Sequence, residues 1–406
     1  MSKVLKGSFE LMKQLNVSAV LKVIKDNGSL SRAEIAKLTG LTPASVTNIT
    51  KFLIEDKFLI ESKVGESSGG RPPIILELNA DARYVIGVGI GVGVIDVVIT
   101  NLSANIIIKK SIIIEDERYD YDLVFKKLVN LINEVVESSQ IDQEKILGVG
   151  VALHGIVNAR TGVSIHALYY GWKNKNIKEK LEQELGLTVC VDNYVRAMAL
   201  GESWFGATKD IANFVTLNIS NGIGAGIIIN NTPYYGVDFS AGEIGHIVVE
   251  ADGDKCNCGK YGCLETVASN NNITRKAIKL IKQGVNSSLS RDVNDINNLS
   301  IEDICKAAKE GDELSITILK EAARYIGVAI TNLINILNPT AIVVVGEIFE
   351  NTTYTIETLN EIVKNRGLKL LSENVRIIRS LLGRDAAVVG ASTLVIQEIF
   401  NGMNRK

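Results

Sequence analysis

A chain of 406 residues exceeds what one hydrophobic core usually fills, so two or three domains are expected. With 46% apolar and 22% charged residues and a net charge of -2, the composition excludes a disordered chain and a strong overall charge field. Five cysteines do not resemble a secreted disulfide framework, residues 1–13 lack a signal-peptide core, and the most apolar run, 84–100, is interrupted by Gly87, Gly89, Gly91, Gly93 and Asp96. The expectation is a cytoplasmic protein without membrane contact.

The first eighty residues carry eleven Lys/Arg against eight Asp/Glu, a mild basic excess that does not by itself establish nucleic-acid binding. Val17, Val20, Leu21 and Ile24 share one helical face, and Asn27-Gly28 ends that helix. Ser31 with Glu34 three residues on forms a capping box for a second helix, which runs to Gly40. Thr42 caps a third, with Pro43 at its first position. There Val46, Ile49 and Leu53 face inward, leaving Ala44, Ser45, Thr47, Asn48 and Lys51 outward: small, hydrogen-bonding or cationic groups suited to a major groove. Strand-like segments at 58–62 and 74–78 flank a loop containing Gly65, Gly69, Gly70 and Arg71. Three short helices followed by a β-hairpin predict a winged helix-turn-helix, with Thr42, Ser45, Thr47, Asn48 and Lys51 toward DNA and Arg71 reaching the adjacent minor groove. A boundary is expected near residue 80.

Beyond it, β-rich runs at 84–90, 94–100 and 105–114 precede a helix at 121–138 and a buried strand at 146–153 that ends in His154-Gly155. Trp172 falls in a loop, and a helix and a short strand to Val191 lead into a helix from Asn193 to Trp204. A second unit begins the same way, with strands at 214–219 and 222–229. Helices at 272–283, 301–309 and 313–337, strands at 341–345 and 375–379, and a closing helix at 386–400 follow. The pattern predicts a duplicated α/β architecture with a cleft between lobes 81–206 and 207–406, the closing helix returning to the first lobe. The long apolar helix at 314–337 fits a core position better than a subunit contact. Glycine turns around Gly89-Gly91-Gly93 and Gly222-Gly224-Gly226 suit either phosphate wrapping or close packing.

The densest chemistry lies at residues 243–265. Cys256, Cys258 and Cys263, spaced Cys-x-Cys-x4-Cys with His246 ten residues upstream, suit a closed tetrahedral zinc site, which points to architecture rather than hydrolysis. Gly259 and Gly262 let the chain turn tightly around an ion. Cys190 and Cys305 read as core thiols, and His154 and His166 as structural or pocket-wall histidines.

Glu243-Ile244-Gly245-His246 and Cys256-Asn257-Cys258-Gly259-Lys260-Tyr261-Gly262-Cys263-Leu264-Glu265 resemble the ROK family of sugar kinases and sugar-responsive repressors, over roughly residues 81–400. The winged helix with Gly70-Arg71-Pro72-Pro73 is similar to the repressor branch. The resemblance implies a duplicated actin-like ATPase fold preceded by a small winged helix-turn-helix domain, with Asn193, Glu243, His246 and Glu265 lining a sugar pocket and His246 also ligating zinc. Where family kinases carry a carboxylate and hydroxyl in the first strand turn, this chain has Gly89-Ile90-Gly91-Val92-Gly93. Where their catalytic Asp follows Asn, Tyr194 follows Asn193, and a neutral phenol is no ready base at pH 7. The expectation is therefore no catalysis and no ATP, but a dimeric repressor that leaves operator DNA when a monosaccharide binds, most similar to xylose-responsive members. Two rivals are an active sugar kinase with an added DNA-binding domain and a metal-stabilised interaction protein.

Overall fold

A computed structural model describes residues 9–64, 73–114, 120–292 and 296–401. Arg71 lies outside the described residues. The N-terminal unit contains α1 (Phe9–Asn27), β1 (Leu30–Ser31), α2 (Arg32–Thr39), α3 (Pro43–Glu55), β2 (Leu59–Val64) and β3 (Ile74–Leu78). Its capping box is formed, with the Ser31 hydroxyl accepting from Glu34 N and Glu34 accepting from Ser31 N, and Gly40 closes α2 in the left-handed conformation. The wing is one strand larger than the hairpin expected, because β1 adds antiparallel to β3, giving the order β1-β3-β2.

The first lobe comprises β4 (Tyr84–Ile90), β5 (Val94–Asn101), β6 (Ile106–Ile113), α4 (Tyr121–Ser139), β7 (Ile146–Leu153), α5 (Ile177–Leu185), β11 (Val189–Asn193) and α6 (Tyr194–Phe205). Between β7 and α5 a small antiparallel sheet of β8 (Ile156–Asn158), β9 (Val163–Ala167) and β10 (Trp172–Asn176) replaces the loop expected around Trp172. The second lobe begins with β12 (Phe214–Ile219), β13 (Ile223–Ile229) and β14 (Thr232–Pro233). Then come α7 (Leu264–Ala268), α8 (Asn270–Lys282), α9 (Leu289–Asp292), α10 (Ile301–Lys309), α11 (Glu313–Leu337) and β15 (Ala341–Val345). The chain closes with α12 (Glu347–Glu350), α13 (Tyr354–Arg366), α14 (Lys369–Ser372), β16 (Arg376–Arg379) and α15 (Ala386–Phe400).

The two main sheets have matching orders, β6-β5-β4-β7-β11 and β14-β13-β12-β15-β16, each with an antiparallel half and a parallel half. Their central strands are buried on both faces, which is why they read as continuous Val/Ile runs rather than alternations. α11 is a core helix of the second lobe, burying Ile318, Leu319, Ile326 and Ile330.

α15 returns to lie on β4 and β7 and alongside α6. Two glycines permit the approach: a Cβ on Gly87 would run into Ser392, and one on Gly150 into the backbone of Ala391. Gly89 of the Gly89-Gly91-Gly93 run also faces this helix, a Cβ there standing 3.2 Å from Val388 Cγ1, so part of that run serves helix packing. At its far end α15 shares a core with the winged helix, Val395, Ile396 and Phe400 packing with Val20, Leu21 and Ile24. Trp204 at the end of α6 joins this contact, edge-on to Phe400 at 5.7 Å and beneath the Lys25 ammonium at 4.4 Å. The α6 helix therefore spans from the inter-lobe cleft to the winged-helix unit.

Candidate functional site

Four ligand atoms, from His246, Cys256, Cys258 and Cys263, lie within 4.8 Å of one another. His246 sits on a single 3-10 turn, Ile244–His246, and Cys263 caps α7, while the intervening chain folds back on itself. Cys256 N donates to Lys260 O at 2.7 Å, Gly262 N to Asp254 O at 3.0 Å, and Val249 N to Gly262 O at 2.9 Å. Gly262 has φ +68°, and a Cβ there would strike the Glu250 carbonyl, so the turn requires glycine. Two of the separations match the edges of a tetrahedral metal site. His246 Nδ1 is 3.6 Å from Cys256 Sγ, and Cys258 Sγ is 3.7 Å from Cys263 Sγ. A tetrahedral ion with bonds of about 2.3 Å to sulfur and about 2.05 Å to nitrogen sets edges of about 3.6 Å (N to S) and about 3.8 Å (S to S).

The other face of the same loop borders a cleft of about 630 Å³ between the lobes, lined by Asn193, Glu243, His246 and Glu265 among others. His246 Nδ1 is turned to the thiols, and its Nε2 lies 4.0 Å from Glu243 Oε2. Glu265, in the first turn of α7, accepts from Ile223 N at 3.2 Å. The surrounding protein raises the pKa of Glu243 and Glu265 by desolvation, opposed in both by His246 and in Glu265 first by the Ile223 amide. Asn193 carries a structural duty as well. Its Oδ1 accepts from Val195 N and Arg196 N, capping α6, while its Nδ2 donates to Gly155 O at 2.8 Å.

One buried pair next to the cleft residue Asn193 has no counterpart in the sequence expectations. Arg196 and Asp192 form a buried pair at 2.8 Å, and the guanidinium also donates to Phe239 O and Val157 O at 2.8 and 2.9 Å. This cation joins α6, the first lobe and the second-lobe loop before Glu243. Its signal was an Asp and an Arg four residues apart at a helix start. His154, expected as a structural or pocket-wall histidine, borders the cleft, its ring edge-on to Tyr169 and Tyr170 at 6.3 and 6.4 Å, and burial pushes its pKa down to about 4. His166 lies on β9, paired with Lys173, outside the metal cluster.

The opposite end of the cleft is different. The Tyr194 ring lies over the glycine turn of β4, so that a Cβ on Gly91 would stand 3.4 Å from its hydroxyl oxygen. Burial drives the phenol pKa up. Nearby, Lys109 pairs with Asp385 at 2.7 Å and Asp96 at 3.6 Å, and Arg384 with Glu302 at 3.1 Å and Glu350 at 3.5 Å.

On α3, Thr47, Asn48 and Lys51 are exposed and Ser45 is half-buried. Thr42 caps the helix by accepting from Ser45 N, with the two hydroxyls 2.9 Å apart, and the Thr47 hydroxyl donates to Pro43 O. Lys51 has only a loose 3.9 Å pair with Glu55. Asn48 and Lys51 are thus the less committed of the expected contacts. Among the described residues no helix is long and apolar enough to cross a membrane.

Comparison with known proteins adds three kinds of likeness. The ROK family model matches residues 85–398, and a winged helix-turn-helix DNA-binding model matches residues 14–59. The chain is 33% identical over 401 residues to a xylose repressor of Caldicellulosiruptor bescii, covering 97% of this chain and 98% of that one. It is 34% identical over 397 residues to the transcriptional dual regulator NagC of Escherichia coli, covering 98% and 96%. A crystal structure of a ROK family transcriptional regulator, described as a homolog of the E. coli MLC protein, superposes with a TM-score of 0.83 at 32% identity, covering 96% of this chain and 97% of that one.

Proposed function

The chain belongs to the ROK family, and we propose that it is a transcriptional repressor whose grip on operator DNA is released by a monosaccharide in the inter-lobe cleft. The observation that carries this reading is the composition of the cleft. Glu243, His246 and Glu265 remain gathered at one end, while Tyr194 stands where the family resemblance places the catalytic Asp. Carboxylates are acceptors for vicinal hydroxyls, whereas a buried phenol with a raised pKa cannot take the proton from one. The site binds without reacting, and ATP has no assigned role.

Zinc is the ion this reading assigns to His246, Cys256, Cys258 and Cys263: four protein ligands leave it no open position, so it supplies rigidity. These residues hold Glu243 and Glu265 at the two ends of one loop, and Glu243 faces the nitrogen of His246 that the metal would leave free.

For release, sugar must bind one cleft geometry better than another, and that difference must reach the winged helix. α6 supports such coupling, since Asn193 caps its cleft end and Trp204 contacts Lys25 at its other end. The protein acts as a homodimer, because paired half-sites need paired recognition helices. Asn48 and Lys51, with Arg71, are assigned to DNA and xylose to the cleft.

The test is a titration of full-length protein with a duplex it selects from a random pool, repeated with D-xylose, D-glucose and N-acetyl-D-glucosamine. Salt-dependent binding that D-xylose weakens, and that Arg71→Ala reduces, is expected. Duplex binding indifferent to all three sugars overturns the sensor, and release by N-acetyl-D-glucosamine alone overturns the xylose assignment. A protein that shifts no duplex is an interaction module instead.

A further inference from the structure

The residue after β7 is placed with unusual care. His154 N donates to Ile90 O at 2.9 Å, tying the end of β7 to the end of β4. The next residue, Gly155, has φ +89°, and a Cβ there would strike the backbone of His166, so glycine is required for this turn. The turn lies at the carboxyl ends of the parallel strands β4, β7 and β11, the position where open α/β sheets bind ligands.

The His154 ring is held on one nitrogen only. Its Nε2 accepts from Tyr169 N at 3.4 Å, and the two tyrosines flank it edge-on. Tyr170 is itself fixed, donating its hydroxyl to Gly91 O at 2.6 Å and stacking on Trp172 at 4.7 Å. A neutral imidazole whose Nε2 accepts must carry its proton on Nδ1. Among the described residues nothing accepts from that Nδ1–H, and the ring lines the same cleft as Glu243, His246 and Glu265.

We infer that His154 contacts the sugar, donating a hydrogen bond from Nδ1 to one of its hydroxyl oxygens. The inference rests on the sensor reading above and adds to it a residue that neither the metal loop nor the expected sugar set contains. It also supplies chemistry that set needs. Glu243 and Glu265 offer acceptors, and a sugar hydroxyl that donates to a carboxylate still presents lone pairs, which a fixed N–H satisfies. Among the described residues only Nε2 of this histidine meets a protein group, and its ring lines the cleft.

The test is calorimetry of full-length, metal-loaded protein with D-xylose, with D-glucose and N-acetyl-D-glucosamine in parallel. His154→Phe should raise the Kd about tenfold or more, and His154→Gln, which can keep an N–H donor, should recover most of it. In the wild type one of the 2-, 3- or 4-deoxy analogues of the bound sugar should lose affinity, and His154→Phe should add no further loss with that analogue. A Phe variant within about twofold of wild type, or one that weakens every analogue alike, overturns the inference alone. If His154→Phe also loses its duplex, the His154→Gln variant decides, and an unchanged pattern across the deoxy series counts against the contact. A wild-type protein that takes none of the three sugars overturns the sensor reading and this inference with it.

Discussion

The two ends of the inter-lobe cleft handle their charged groups in opposite ways. Beside the His/Cys loop, Glu243 and Glu265 face the cleft; among the described residues one has no partner nearer than His246 at 4.0 Å and the other is anchored by a single backbone amide. Below the glycine turn of β4, the charges pair with each other: Lys109 with Asp96 and Asp385, Arg384 with Glu302 and Glu350, while the Tyr194 ring covers the glycines. Groups kept available for a ligand must be held by something other than one another, and at the first end the Cys/His loop does that. At the second end the charges satisfy one another, and Lys109 with Asp385 joins the first-lobe sheet to the residue before α15.

The largest expected effect comes from breaking the scaffold. If the proposed zinc binds here with the about 10–16 kcal/mol typical of four-ligand structural sites, Cys263→Ser should lower metal affinity by about 100-fold or more. Sugar response should vanish with the ion while duplex binding persists, measured by metal analysis and DNA titration on the same sample. Chelated protein that still answers to sugar would break the link between loop and pocket. Next in size is Glu265→Ala, or Glu243→Ala. Losing one charge-assisted hydrogen bond, worth about 1.5–3 kcal/mol, should raise the sugar Kd about 10- to 100-fold and leave duplex affinity unchanged. If sugar and DNA binding disappear together, the variant reports misfolding and the conservative Gln substitution should be read instead. The smallest effect is expected at the other end. Arg384 is 54% exposed, and screened pairs of this kind contribute less than about 1 kcal/mol, so Arg384→Ala should barely move the melting temperature or the sugar Kd. A large loss of sugar affinity there would erase the distinction between the ends.

What could be seen in the sequence follows from how local each feature is. Ser31 and Glu34 meet three residues apart, so the capping box was visible before any fold. The metal cluster was visible because three thiols and an imidazole are rare chemistry at short spacing. Long Val/Ile runs gave the central strands. By contrast, Trp172–Asn176 is a polar edge strand, with no alternation to reveal it. α13 carries Ile356, Leu359 and Val363 at helical spacing, a signal present in the sequence, whereas β1 contributes only two residues. The Lys109–Asp385 pair joins positions 276 apart and could not be read locally. Asn193 shows the same limit: family likeness pointed to a sugar contact, and only the fold revealed that most of its amide is used to cap α6 and hold Gly155.

The proposed sensor binds sugar in its cleft without transforming it. The direct measurement is ADP release by the full-length protein with magnesium-ATP and each sugar of the panel, on the preparation whose sugar binding is followed by calorimetry. Saturable sugar binding with no ADP above the sugar-free baseline is the predicted result. Sugar-dependent ADP formation would contradict it and make the chain a kinase that also binds DNA.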